Sequence, residues 1–158
     1  MTRVLAVAVL AAGLTAAADD KAPKVEQGAK VLKDPKAELE RFTGTWQGVS
    51  VVRDGKEVPK PEAEKVKLVV SGEKYTLTEG GETIEGTHKL DPTKTPKEID
   101  AVRTSGPHKG EKLLGVYMLS EDSYVVSFGA PGKDRPKELK AEGGPGLRVL
   151  AFKRDQKK

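Results

Sequence analysis

The chain has 158 residues, enough for one domain, and carries 28 Lys and Arg against 24 Asp and Glu, a formal net charge of +4. The charges alternate in sign, and the aromatic residues do not interleave with a basic cluster, which excludes a typical nucleic-acid-binding surface. The sequence contains no cysteine, which excludes disulfides, a thiolate nucleophile, cysteine metal ligands and a lipoprotein anchor.

The first 18 residues have the pattern of a secretory signal peptide. Arg3 gives a basic start, residues 4–14 form an apolar run, and small residues end at Ala18, just before charged residues. The run is too short to span a bilayer, which takes about 20 apolar residues. We expect cleavage after Ala18 and an exported protein, periplasmic or secreted, that does not span the membrane. The alternatives are an uncleaved anchor or a buried N-terminal helix.

A short helix is predicted near the start of the mature chain. The segment before it is charged and rich in Lys and shows no apolar period, so we predict a flexible tether there. Pro35 then favours a helix start, and Leu39 and Phe42 share one face of a helix that ends at Thr43. We therefore divide the chain into a signal peptide, a tether and one folded domain, at residues 1–18, 19–35 and 36–155.

From Gly44 onward the apolar period becomes two, which is typical of β-strands. Turn residues such as Asp54-Gly55 separate the runs at intervals of roughly 8 to 12 residues, the spacing of an antiparallel sandwich or barrel. The predicted strands are 45–53, 65–71, 74–78, 83–90, 98–104, 112–119, 123–128 and 147–154. Short sequential connections favour closure, which removes exposed edge strands. We predict an all-β fold: a small antiparallel up-and-down barrel of about eight strands with a short N-terminal helix.

Alternation along the strands also predicts which side chains face the barrel interior. An eight-stranded barrel encloses either a packed core or one small ligand, and both alternatives stay open at this point. The side chains predicted to contact a ligand there are Trp46, Tyr75, Ile84, His88, Tyr117, Tyr124 and Phe128.

The start of the first strand resembles that of the lipocalins. Gly44-Thr45-Trp46 follows the predicted helix, and lipocalins begin their barrels with a Gly-x-Trp whose indole closes the barrel base. In them a basic residue near the end of the last strand covers the indole. The resemblance implies that Arg148 or Arg154 makes this cation–π contact here.

A more specific resemblance covers about residues 40 to 155. In order and spacing, four stretches resemble a family of exported lipocalin-like domains that is expanded in planctomycete bacteria. The stretches are 44–46 with 54–56, 89–92 through 96–100, 106–107 with 110 and 113–117, and 131–136. The resemblance implies a lipocalin-like barrel and no activity, because the family has no established one. Ser127 is a departure, since family members often carry Cys there, which argues against a catalytic or metal role at this position.

The polar residues do not form a known catalytic or metal-binding pattern. His88 and His108 lack metal-ligand spacing, and turn capping with ion pairs explains Asp91 and Asp100 better than a calcium site does. Arg135 is a candidate for binding an anion at the barrel rim, although its stretch lacks the spacing of a phosphate loop. We predict no catalytic residue, no metal site and no cofactor.

Two hypotheses about function follow. The first is an exported non-enzymatic lipocalin-like domain that binds a small apolar ligand in its barrel. The alternative is a module of the cell envelope that docks on a protein or polymer and has a packed, ligand-free barrel. In either case we expect a monomer that binds no nucleic acid.

Overall fold

The computed structural model describes residues 33–156. These residues form two short helices and nine strands, most of them separated by tight turns. The helices are α1 (Pro35–Phe42) and α2 (Lys60–Ala63). The strands are β1 (Gly44–Arg53), β2 (Lys56–Glu57), β3 (Lys67–Ser71), β4 (Lys74–Glu79), β5 (Glu82–Asp91), β6 (Lys97–Arg103), β7 (Lys112–Leu119), β8 (Ser123–Gly129) and β9 (Leu147–Arg154).

The sheet closes into an eight-stranded antiparallel barrel. From β3 to β9 each strand pairs with the next in sequence, and β1 pairs with both β3 and β9. The closing ladder runs from Trp46 opposite Arg154 to Arg53 opposite Arg148. This confirms the predicted all-β, up-and-down, lipocalin-like barrel with a short N-terminal helix, and each predicted strand corresponds to a barrel strand.

The sequence pattern predicted no helix or strand in the segment between β1 and β3, where the structure has two short elements. Asp54 and Gly55 adopt positive φ angles of 51° and 74°, which turn the chain into the two-residue strand β2 along β1. The single-turn helix α2 follows and crosses β1 at Gly48, where the carbonyl groups of Ala63 and Val66 occupy the space that a Cβ would take. A bulge between Gly48 and Ser50 lies at this close approach.

Helix α1 covers one end of the barrel. Asp34 caps the helix by accepting a hydrogen bond from the Lys36 amide at 3.0 Å, and Pro35 occupies the first turn. Phe42 is buried, and its carbonyl accepts a hydrogen bond from the Trp46 indole nitrogen at 2.9 Å. We call this end, where α1 meets the start of β1, the helix end of the barrel.

A buried carboxylate fixes the helix over the barrel wall. Glu38 on α1 is fully buried and pairs with Lys97 of β6 at 2.5 Å. The Tyr117 hydroxyl of β7 donates a hydrogen bond to the same carboxylate at 3.2 Å. These contacts tie the helix to strands on the far side of the barrel from β1.

The opposite end, where β4 and β6 finish and β9 begins, carries no helix in the described chain, and we call it the open end. The predicted signal peptide and nearly all of the predicted tether, residues 1–32, lie outside the described residues. Neither helix of the described chain has the length and apolar character needed to cross a bilayer.

Candidate functional site

The barrel interior contains an apolar cavity of about 60 Å³. It arises because inward-facing side chains of every barrel strand except β1, together with Phe42 of α1, do not fill the space between them. The lining consists of Phe42, Leu68, Tyr75, Leu77, Ile84, His88, Ile99, Ala101, Arg103, Leu113, Tyr124, Val126, Phe128, Arg148, Leu150 and Phe152.

The residues predicted to face a ligand divide into two groups. Five of them line the cavity: Tyr75, Ile84, His88, Tyr124 and Phe128. Trp46 and Tyr117 are buried outside this lining, at the helix end, where they bond to Phe42 and Glu38. Contact with a ligand stays a prediction for all seven residues.

An aromatic cluster forms the inner part of the cavity around His88. The His88 ring lies 5.2 Å from the Phe42 ring, edge-on, and 6.1 Å from the Tyr75 ring, roughly parallel to it. The Tyr124 ring also packs against Phe42, with 4.5 Å between the ring centres. A Cβ at Gly86 would collide with the Tyr75 ring, so this inward glycine makes the room in which the ring stacks on His88.

His88 is a neutral imidazole. The residue is only 5 % exposed, and burial lowers the pKa of its side chain to about 4, against a smaller opposing effect of a hydrogen bond to the Gly72 backbone. Its Nε2 atom has no hydrogen-bond partner within residues 33–156. The cavity lining therefore contains a neutral imidazole among aromatic rings, beside the hydroxyl-bearing side chains of Tyr75 and Tyr124.

Charged side chains converge at the open end of the cavity. Arg148 of β9 lies directly opposite Arg53 of β1, and both guanidinium groups bind the carboxylate of Glu79 at the end of β4. Burial alone would raise the pKa of Glu79, but the two arginines hold it below its usual value. Arg103, at the end of β6, bonds to the Pro107 carbonyl at 3.3 Å and pairs with Glu111 at 3.4 Å.

Arg148 is the least well satisfied of these arginines. Burial lowers its pKa, and so does the positive charge of Arg53 and Arg103, while Glu79 acts in the opposite direction. Its Nε atom is buried and has no hydrogen-bond partner in the described part of the chain. One buried donor of this partly buried cation thus has no acceptor within the described protein.

A second hollow of about 190 Å³, which we call the outer hollow, adjoins the interior cavity at the open end. The two share four lining residues, Arg103, Leu113, Phe128 and Arg148. At the open end, two arginines therefore line both the apolar interior cavity and the hollow beside it.

The sequence analysis missed Arg103 and Arg148 as lining residues, although the same alternation points to them. Ile99, Ala101 and Arg103 share one face of β6, and on β9 the inward face begins with Arg148. Each charged residue continues an apolar stripe toward the end of its strand, where such a residue is easily taken for the start of a loop.

The two arginines of β9 take different positions, which decides the alternative that the lipocalin resemblance left open. The guanidinium carbon of Arg154 lies 4.2 Å from the centre of the Trp46 ring, so Arg154 makes the cation–π contact. Arg148 lies six positions earlier on the strand, at the open end.

Arg135, the predicted anion contact, lies apart from the cavity. Its Nη1 donates hydrogen bonds to the carbonyl groups of Ile99 at 2.9 Å and Gly115 at 2.7 Å, and its Nη2 pairs with Asp100 at 2.5 Å. These bonds pin the long connection between β8 and β9 to the barrel wall. Anion binding by Arg135 stays a prediction.

The other polar candidates occupy separate places. Asp91 accepts hydrogen bonds from Thr93 within its turn, and His108 lies in an exposed loop beside Glu111 at 3.2 Å. Within residues 33–156, no three His, Asp or Glu side chains are arranged to hold a metal ion.

Comparison with known proteins adds no further constraint. No protein-family model matches the chain, and searches of curated proteins and of solved structures return no significant match.

Proposed function

We propose that the protein is an exported, non-enzymatic barrel that binds a small apolar ligand in its interior. The observation that carries the proposal is the apolar cavity that runs from the aromatic cluster at His88 to the hollow at the open end. Closed sites with apolar walls and a few placed polar groups are typical of small-molecule binding.

The surroundings of His88 favour binding over catalysis. In covalent catalysis, a histidine base bonds to the nucleophile and is oriented by a third group, commonly a carboxylate. The neighbours of His88 are instead the rings of Phe42 and Tyr75 and the backbone of Gly72. A neutral ring in this setting suits one hydrogen bond to a ligand.

Native mass spectrometry of the full chain, purified from an exporting host, tests the proposal. We expect an added mass that disappears when the protein is denatured. The variant Ala101→Leu places a larger side chain in the cavity wall and should lose the added mass. Ala151→Leu is the matched control, because Ala151 lies between the buried residues Leu150 and Phe152 and so faces outward on β9.

A second candidate function is a cell-envelope interaction module with a packed, ligand-free barrel. The interior volume of about 60 Å³ favours it, because ligand pockets commonly measure about 300 to 1,000 Å³. In that case the native and denatured masses agree, and Ala101→Leu changes only stability. That result would contradict the binding proposal.

A further inference from the structure

We propose that the ligand is a small amphiphilic monocarboxylate, whose carboxylate binds Arg103 and Arg148 while its apolar body occupies the interior cavity and the adjoining part of the outer hollow. The inference rests on the proposed ligand-binding function and specifies its chemistry. It follows from the sign of the charge that lines the cavity, from a buried donor without an acceptor, and from the size of the space.

The charge that lines the cavity is positive. Arg103 and Arg148 belong to the lining, whereas the carboxylates that pair with them, Glu79 and Glu111, do not. Within the described residues, no carboxylate lines the interior cavity. Asp54 borders the outer hollow, where its Oδ1 atom accepts a hydrogen bond from the Gly146 amide at 2.9 Å. An anion in the cavity therefore meets two guanidinium groups and no facing carboxylate.

The buried Nε atom of Arg148 supplies a specific donor. A buried polar group without a partner is costly, and more so on a charged group. Glu79 binds the Nη2 side of the same guanidinium and leaves Nε without a partner in the described chain. A ligand carboxylate is the planar acceptor that a guanidinium binds best.

The dimensions limit the apolar body of the ligand. The interior cavity of about 60 Å³ and the outer hollow of about 190 Å³ meet at Arg103 and Arg148. An apolar cavity of about 150 Å³ is known to hold benzene. The interior cavity alone is less than half that size, whereas the two spaces together exceed it, so a body about the size of a benzene ring fits only where they meet, with its head between the two arginines.

The test varies the carboxylate and the aromatic ring of the ligand separately. Binding of benzoate, benzyl alcohol and acetate to the full chain, purified from an exporting host, is measured by NMR titration. We expect benzoate to bind at least about tenfold more tightly than benzyl alcohol, and acetate not to displace it.

Three variants separate recognition of the carboxylate from loss of structure. Arg148→Gln should weaken the binding of benzoate at least about tenfold and leave the binding of benzyl alcohol unchanged. Glu79→Gln removes the carboxylate that competes for Arg148 and should strengthen benzoate binding. Lys153→Gln, at an exposed position of β9 near the helix end, removes a positive charge away from the cavity; it is the control and should change neither. If Arg148→Gln does not fold, Arg103→Gln takes its place.

The outcomes distinguish this inference from the function on which it rests. Equal affinities for benzoate and benzyl alcohol would contradict recognition of a carboxylate, while still supporting an apolar binding site. Acetate binding as tightly as benzoate also overturns it, because the apolar body would then contribute nothing. Weakening of benzoate by both Glu79→Gln and Arg148→Gln marks a structural effect and counts against it. If no aromatic probe binds and the native mass is bare, the binding function itself fails.

Discussion

An imidazole occupies position 88, on a face of β5 whose other inward positions are Ile84, Gly86 and Leu90. The side chain is surrounded by aromatic rings and retains one ring nitrogen without a partner in the described chain. An apolar side chain would pack at this position without the free-energy cost of removing a polar ring nitrogen from water. A buried polar side chain in the lining of a cavity is therefore a natural contact for a ligand.

The buried His88 predicts an acid dependence of stability. Its pKa is about 4 in the folded protein, whereas an unfolded chain has about 6.5. Below about pH 6.5 the unfolded state gains a proton that the folded state does not accept until about pH 4. The contribution is thus complete above pH 6.5, falls as the pH drops towards 4, and amounts to roughly 3 kcal/mol at most.

Urea unfolding of the wild type and of His88→Leu between pH 7.5 and pH 4 measures this contribution. We expect a shallower pH dependence in the variant, because the other titrating groups are common to both proteins. Thr87→Leu, on the exposed face of the same strand, changes no titrating group and should follow the wild-type curve. Parallel curves for wild type and His88→Leu would show that the ring is not held neutral by burial.

At the scale of elements, β9 connects the two ends of the barrel. Its last residue, Arg154, stacks on Trp46 and donates hydrogen bonds to the carbonyl groups of Arg41 at 2.5 Å, Thr43 at 3.1 Å and Glu121 at 2.7 Å. One side chain thereby links the end of α1, the start of β1 and the turn before β8. Its first arginine, Arg148, forms part of the open end.

Replacement of Arg154 should loosen the helix end. Arg154→Gln loses the cation–π contact, and Arg154→Lys keeps the charge but loses the fork of donors that reaches three carbonyl groups. We expect both variants to lower the free energy of unfolding by about 1 to 3 kcal/mol. The measurement is urea unfolding followed by Trp46 fluorescence. Lys153→Gln, at the exposed neighbouring position, is the control. If Arg154→Lys has the stability of the wild type, charge alone accounts for the contribution of Arg154.

At the scale of the whole molecule, closure gives each barrel strand a neighbour on both sides. The ladder between β1 and β9 joins residues about 100 positions apart, and the Asp155 amide extends it by a hydrogen bond to the Thr45 carbonyl at 2.8 Å. The folded elements lie between the Asp34 cap and this bond. A chain cleaved after Ala18 therefore retains every element of the barrel.

We expect the chain expressed in an exporting host to yield a product that begins at Asp19. The physical reason is that small residues at positions 16 and 18 fit a signal peptidase, and a bulky residue does not. Intact-mass measurement should show loss of residues 1–18, and Ala18→Tyr should retain them. Ala141→Tyr, at an exposed position of the connection between β8 and β9, is the control for the effect of introducing a tyrosine. A product that keeps residue 1 in the wild type would contradict export with cleavage.

Local patterns explain why the strands and the first helix were predictable from the sequence. The period of two, the turn residues and Pro35 each act within a few positions, so they need no knowledge of distant neighbours. The two-residue β2 and the single-turn α2 were missed because they are too short to show a period. Five of the seven residues predicted to face the interior do line the cavity, because alternation along a strand shows which side chains point inward.

The sequence by itself therefore determined the class of fold, the number of barrel strands and the inward face of most of them. The tertiary structure alone decided which inward residues border empty space and which are sealed beneath α1, as Trp46 and Tyr117 are. It also decided that Arg53, Arg103 and Arg148 meet at one end. These arginines are distant in sequence, and only closure of the barrel brings them together, because packing and charge depend on neighbours that a local pattern does not specify.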